Sequence, residues 1–381
     1  MKGKFVLTTD QQRFKLEQTA LELGFDAAAW VEAGVPSRDI QAFTTWLKAG
    51  YHAGMDYLPR SVARRSDLSS SFAPTSSVLV LMVSHNHADP GIPSGGTRLG
   101  RVARYAWSRD YHTALKPFLE ELERASQSLG IQAKAYVDHG LMLERSLASR
   151  AGLGWRGRSS QIISQQLGAL TTLAVLLTDL APPEPKPEHV DRCGKCQACV
   201  RDCPTNAITT DRFVDSRRCL SYYTIEHRGS IPLEFRASLG NHLFGCDDCL
   251  DVCPWTAHAG RFSGLLTPEP ELAHPDLEPF FTLSSNQFEK QFADTAFSRA
   301  RRKGMARNAA LVLGNTRDSS YTDLLGLGLS DIGADVRETS AWALGRFKLE
   351  SRSENLLTRA LLDPDSSVVS TARDALNGEF Q

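Results

Sequence analysis

Apolar residues recur at three- and four-residue intervals at Ala114, Leu115, Phe118, Leu119, Leu122, Ala125 and Leu129, which predicts an amphipathic helix over 110–129. Gly130 stands where such a helix ends. The runs SVLVLMV (77–83) and LAVLL (173–177) are short, continuous and rich in valine and leucine, as strands buried on both faces are. LERSLASRA (143–151) sets Leu143, Leu147, Ala148 and Ala151 on one helical face, and RSSQIIS (158–164) then turns extended. Four prolines in the nine residues APPEPKPEH (181–189) read as a stiff linker. A second Pro-containing, acidic stretch, TPEPELAHPDLEP (267–279), leads into a helical tail.

That tail repeats. MARNAALVLG (305–314), VRETSAWALG (336–345) and VVSTARDALN (368–377) align at offsets of 31 and 32 residues, each with small and apolar residues at helical spacing. Stacked HEAT-like helix pairs explain the period. The expected architecture is therefore α+β: a domain over 1–180, a cysteine-rich domain over 181–265, and a HEAT-like helical tail over 266–381.

GLGWRG (152–157) fits the dinucleotide fingerprint G-x-G-x-x-G, and Asp179 follows at a suitable distance for a ribose ligand. The fingerprint needs a strand before the glycines and a helix after, because the helix N-terminus holds the pyrophosphate. Here a helix precedes and extended chain follows. The match is accidental, and NAD binding is rejected.

A net charge of −1 over 381 residues excludes any global attraction to nucleic acid, so a basic surface must be local. SRARRKGMAR (298–307) supplies one, entering the first repeat with Arg299, Arg301, Arg302, Lys303 and Arg307. No export signal or membrane span is legible, and a cytoplasmic protein is expected. In that reducing compartment a disulfide framework is disfavoured.

All eight cysteines lie within 193–253. CGKCQACVRDCP (193–204) is C-x2-C-x2-C-x3-C-P, the ferredoxin run for a [4Fe–4S] cluster whose fourth cysteine serves a second cluster. CDDCLDVCP (246–254) lacks the first member of such a run, since Leu243 stands there, and Cys219 completes the set. The exchange rule gives Cys193, Cys196, Cys199 and Cys253 to one cluster, and Cys203, Cys219, Cys246 and Cys249 to the other. The alternatives are two four-cysteine zinc sites or disulfides; three cysteines in a seven-residue run suit a cubane better.

CPTNAI, CLSYYTIEHRG, FGCDDCLDVCPW, GMDYL (54–58), RYAWSRDYH (104–112) and AGLGWRGRSS (151–160) together resemble the epoxyqueuosine reductases. The resemblance spans essentially the whole chain. It implies a nitroreductase-like, corrinoid-binding first domain and a bacterial-ferredoxin-like two-cluster domain. It also implies cobalamin as the catalytic centre for reducing epoxyqueuosine at the tRNA wobble position, the last step of queuosine biosynthesis. A small electron donor of flavodoxin or ferredoxin type, and a monomer, go with it. The rival reading is a corrinoid-dependent reductive dehalogenase-like enzyme acting on a small molecule. A non-catalytic ferredoxin-like carrier is a third, disfavoured by the long domain before the cysteines.

Carried over residue by residue, the resemblance makes Asp138 of YVDHGLMLER the proton donor, although an Asp between strand and helix is more often an N-cap. It places corrinoid contacts near Arg65, Ala103, Asp138, Ser159, Ile162, Leu173, Ser221 and Asp247. The chain departs from the family's usual pattern at His139 and at Arg158-Ser159. DYHTAL (110–115) begins like the corrinoid motif D-x-H-x-x-G, but Leu115 replaces its glycine. No histidine beneath cobalt is therefore expected, and His112 reads as surface or structural. His227, Arg228, Arg301, Arg302, Lys303 and Arg307 are the expected tRNA contacts.

Overall fold

The computed structural model describes residues 7–95, 99–260 and 264–380. SVLVLMV and LAVLL become the strands Ser77–Ser84 and Thr171–Thr178, the two central members of a four-stranded sheet. Ala27–Glu32 flanks the first and Ala133–Val137 the second, and every neighbouring pair is antiparallel. The continuous apolar runs are explained by burial on both faces. Leu79, Leu81 and Val83 pack under the helices Thr9–Glu22 and Tyr111–Ser128, while Val78, Val80 and Met82 meet Leu147 and Ala148 of the helix Glu144–Arg150.

The helix predicted over 110–129 forms as Tyr111–Ser128, with the Asp110 side chain capping its start and Gly130 leaving it at a φ of +75°. GLGWRG does what its reversed context requires. Gly152 (φ +78°) exits the helix Glu144–Arg150, and a Cβ on Gly154 would lie 2.4 Å from the Ile163 carbonyl oxygen. The glycines let two short antiparallel strands, Trp155–Arg156 and Ile162–Ile163, close on each other. Residues 181–189 form no regular structure, as a proline linker should.

All three repeat segments lie in helices, Arg301–Thr316, Ala334–Gly345 and Ser366–Leu376, stacked in sequence. The stacking contact itself repeats. A Cβ on Gly314 would sit 2.8 Å from Ala343, and one on Gly345 would sit 2.6 Å from the Ala375 methyl, so each glycine admits the next helix at close range. Paired charges tie the layers together: Arg302 clasps Asp331 at 2.6 and 2.9 Å, and Arg337 clasps Asp363 at 2.7 and 2.9 Å.

The three sequence segments interlock rather than sit apart. Arg101–Val102 pairs in parallel with His242–Phe244, and Leu265 and Leu266 pack back against the sheet's helical layer. The tail's first repeat helix reaches into the cysteine-rich region, where Asn308 donates to the Thr224 and Leu243 carbonyls at 2.8 and 2.9 Å. No helix among the described residues is long and apolar enough to cross a membrane.

Candidate active site

Cys193, Cys196, Cys199 and Cys253 line one cavity of about 310 Å³, and Cys249 borders it. The Cys199 thiol is pushed up by burial and then by Cys193, Cys253 and Cys196 around it. A second group forms beside the first. Cys249 is pushed well up by burial and by Cys219 and Cys246, and Cys203 adds to the rise at Cys219. Cys249 also feels Cys199, so the two groups adjoin. The fold thus brings Cys193, Cys196, Cys199 and Cys253 together, and sets Cys203, Cys219, Cys246 and Cys249 beside them. Such thiols gain stability by binding metal as thiolates, and N–H donors already face the sulfurs. Trp155 Nε1 donates to Cys193 Sγ at 3.4 Å, and the Ala207 amide to Cys203 Sγ at 3.2 Å.

Asp138 follows the strand Ala133–Val137 at a φ of +54°, a left-handed conformation that non-glycine residues rarely adopt and that gathers at functional sites. It caps nothing: the next helix begins at Glu144, with Leu143 before it. Tyr111 Oη donates to Asp138 Oδ2 at 2.6 Å. Burial, with Asp138's charge and hydrogen bond adding, pushes the Tyr111 phenol far above its usual range, so it stays a donor. The Asp138 side chain remains 58% exposed and open to a ligand.

His112, expected to be surface or structural, is half-buried beside this carboxylate. Its Nδ1 lies 2.7 Å from Asp110 Oδ1, its ring stacks on Tyr111 at 4.3 Å, and its Nε2 lies 4.0 Å from Asp138. A carboxylate only accepts, so Asp110 fixes the proton on Nδ1 and turns Nε2 toward Asp138. The missed signal was the triplet Asp110-Tyr111-His112 itself, which puts a capping Asp and two rings on the first helical turn. Leu115, by contrast, is wholly buried, as its place in the apolar stripe required.

Tyr105, half-buried, joins this carboxylate to the cysteine region. It feels the charges of both Asp247 and Asp138, and its ring meets Tyr111 and Phe244 at 6.0 and 6.2 Å. Ala103 and Asp247 meet across the seam. The Ala103 amide donates to the Phe244 carbonyl at 2.8 Å, a Cβ on Gly245 would lie 2.5 Å from the Ala103 methyl, and Asp247 Oδ2 accepts from the Arg104 amide at 2.7 Å. Burial pushes Asp247 up to about 6. Ser221 Oγ donates to the Cys246 carbonyl at 3.4 Å. Ser159 lines the cysteine cavity, Ile162 is buried behind it, and Leu173 sits half-buried near the start of its strand. Arg65 already donates to Ser61 Oγ and to the Met142 carbonyl at 2.9 and 2.8 Å. Beside it, Glu144 is pushed up to about 8 by burial, with Asp138's charge adding and Arg65 and Arg145 opposing.

Four buried polar atoms in this region find no partner: Glu144 Oε1, Arg104 Nε, His87 Nε2 and Arg158 Nε. Each costs about 1–3 kcal/mol if left unpaired. Such a concentration points to a polar ligand that satisfies them.

The tail needs a correction. Arg307 is buried and donates to the carbonyls of Tyr223, His227 and Gly229 at 2.6, 3.1 and 2.7 Å, bracing the chain after Cys219. Burial lowers it to about 10. Arg302 is buried in its clasp with Asp331. Neither can meet RNA: in a helix that packs on both sides, those positions face inward. Arg228 and Arg301 remain exposed, Lys303 is half-exposed in an ion pair with Asp335, and half-buried His227 holds the Ser230 carbonyl at 2.9 Å. Arg299, exposed, pairs with Glu226 at 2.8 Å and feels Asp138's charge.

Comparison with known proteins bears on both halves of the site. A family model described as a 4Fe-4S double cluster binding domain matches residues 192–256, and one described as Epoxyqueuosine reductase QueG, DUF1730, matches residues 65–139. The chain is 35% identical over 317 residues to the epoxyqueuosine reductase of Vibrio cholerae, covering 79% of this chain and 82% of that relative. It is 36% identical over 322 residues to that of Escherichia coli, with 81% and 82% covered. A crystal structure of an epoxyqueuosine reductase with an epoxyqueuosine-modified tRNA-Tyr stem loop superposes with a TM-score of 0.88 at 27% identity, over 97% of this chain and 99% of the other. The Bacillus subtilis epoxyqueuosine reductase, solved with an aspartate-bearing catalytic loop swung out of its active site, also gives 0.88 at 27% identity, over 97% and 100%.

Proposed function

This chain belongs to the epoxyqueuosine reductase family, oxidoreductases acting on tRNA, and from that premise we propose how its own residues carry the reaction. Reducing the epoxide to an alkene consumes two electrons and two protons and releases the oxygen as water. Cobalamin, when bound, would supply the low-valent metal for that reduction, with residues of the Asp138 cleft and the Ala103–Asp247 seam to hold it. Glu144 Oε1, Arg104 Nε, His87 Nε2 and Arg158 Nε, buried without a partner, are groups that its amide-bearing rim would satisfy. The eight cysteines would hold two four-iron clusters, which would supply single-electron transfer to the cleft.

Asp138 delivers the proton to the departing oxygen. The observation that carries this is its geometry: a strained carboxyl with no capping duty, held by Tyr111 and otherwise open. Substrate bound over it excludes water from the transfer. The first domain is nitroreductase-like and the tail HEAT-like in this reading, with boundaries near 180 and 265. Purified protein, loaded with cobalamin and chemically reduced, is expected to convert epoxyqueuosine-tRNA to queuosine-tRNA by nucleoside mass spectrometry. Loaded protein that yields no queuosine overturns the proposal.

Arg228, Arg301 and Lys303 make the phosphate contacts on this reading. Arg301→Glu is expected to weaken tRNA binding and to flatten its salt dependence by about one counterion, with no change in melting temperature. Arg302→Ala is expected to do the reverse. It strands Asp331 inside the tail and lowers stability by about 3–5 kcal/mol, measured by denaturant unfolding, while the salt slope holds. Equal effects of the two variants on the salt slope would return Arg302 to the RNA surface.

A further inference from the structure

The two cysteine groups differ in what surrounds them. Cys246 and Cys249 adjoin Asp247, which reaches Arg104 and through Tyr105 the Asp138 cleft. The other group opens outward. Cys196 is the one exposed cysteine of the eight, and its cavity is bordered by Arg158 and Arg192. Lys195 is exposed in the same loop, and Arg201 is exposed at the end of the short helix Ala198–Arg201 that follows it. Arg192, Lys195 and Arg201 make no ion pair among the described residues, whereas Asp191 is held by Arg212. Asp202 is the other carboxylate of that loop. Exposed Val190 gives the rim an apolar contact, with 73% of its surface free.

We propose that the loop Arg192–Lys195–Arg201 around Cys196 is the docking surface for an acidic single-electron carrier protein, and that electrons enter there. The proposal rests on the two-cluster reading above. Unpaired cations around a shallow cavity steer an acidic partner and raise its association rate by about 10–1,000-fold, an effect that salt erodes. In each encounter the carrier loses one electron and the cluster beneath Cys196 gains it. Two encounters supply the two electrons that one epoxide consumes. The inner group adjoins the cleft, and the outer group opens to the surface.

The test is stopped-flow bleaching of the clusters' visible absorption in the iron-loaded, full-length protein. Photoreduced flavodoxin is the carrier, reduced ferredoxin a second carrier, and dithionite the small-molecule control. The double variant Arg192→Glu, Lys195→Glu is expected to lower the second-order rate with flavodoxin at least ~10-fold at low salt. The difference should shrink at high salt, and the dithionite rate should match wild type. The milder Arg192→Gln, Lys195→Gln should show a smaller loss in the same direction, which keeps the test decisive if the glutamates impair cluster loading. An unchanged carrier rate overturns the proposal. So does a parallel loss with dithionite, which would make these cations compensation for cluster charge. Wild-type protein that dithionite bleaches and neither carrier does also overturns it. Wild-type protein without iron or bleaching overturns the cluster reading instead.

Discussion

Asp138→Asn is expected to keep its fold, iron, cobalamin and tRNA affinity while single-turnover reduction of epoxyqueuosine-tRNA falls by about 10²–10⁴. An amide has the size of the carboxyl and can still accept from Tyr111, so the loop and its left-handed turn survive. What it cannot do is release a proton to the epoxide oxygen. Asn caps helices about as well as Asp, so a capping role would predict silence, and the structure leaves Asp138 with no helix to cap. Chemical reduction of the enzyme removes electron delivery from the measurement. Tyr111→Phe then separates proton donation from positioning. It should blunt turnover less than Asp138→Asn, because the acid remains and only its orientation loosens. Wild-type turnover by Asp138→Asn would pass the proton to a bound water, because His112 presents its unprotonated Nε2 to this site.

The sheet, the long helix and the repeats were legible because each is driven by a periodic pattern. The run 77–83 announces a strand buried on both faces, and the triple repeat announces stacked helices whose Gly314 and Gly345 contacts then recur in space. The cysteine grouping was legible for a different reason: ligand spacing is local and metal geometry is strict. The surroundings of Asp138 were not. Tyr111, Arg299, Glu226 and Glu144 come from four distant stretches, and no period in the chain links them. The tail arginines misled for the opposite reason. Composition showed five cations between 299 and 307 but not which helical face each takes, and a helix packed on both sides hides Arg302 and Arg307 while exposing Arg301. Their burial still serves the site, since Arg307 holds the carbonyls of the segment after Cys219.

Cys219→Ala is expected to cut iron from about eight to about four per chain and to abolish turnover. Cys219 lies outside both cysteine runs, and its case as a ligand rests on its place beside Cys203, Cys246 and Cys249. Its removal leaves three thiols in the inner group, too few to hold a stable four-iron cluster. The outer set of Cys193, Cys196, Cys199 and Cys253 shares no ligand with it and should keep its iron and its reducibility by dithionite. Turnover should nonetheless be lost, because the inner group adjoins Asp247 and the Ala103–Gly245 seam, so electrons held by the outer set have no relay into the cleft. Cys196→Ala is the matching control. It should remove the outer cluster, keep the inner one, and allow turnover only with a small reductant that reduces the inner cluster directly. Iron analysis, electron paramagnetic resonance and single-turnover assays read these outcomes separately. Full iron and full activity in Cys219→Ala would remove it from the ligand set, and stoichiometric zinc in the wild-type protein would replace the clusters altogether.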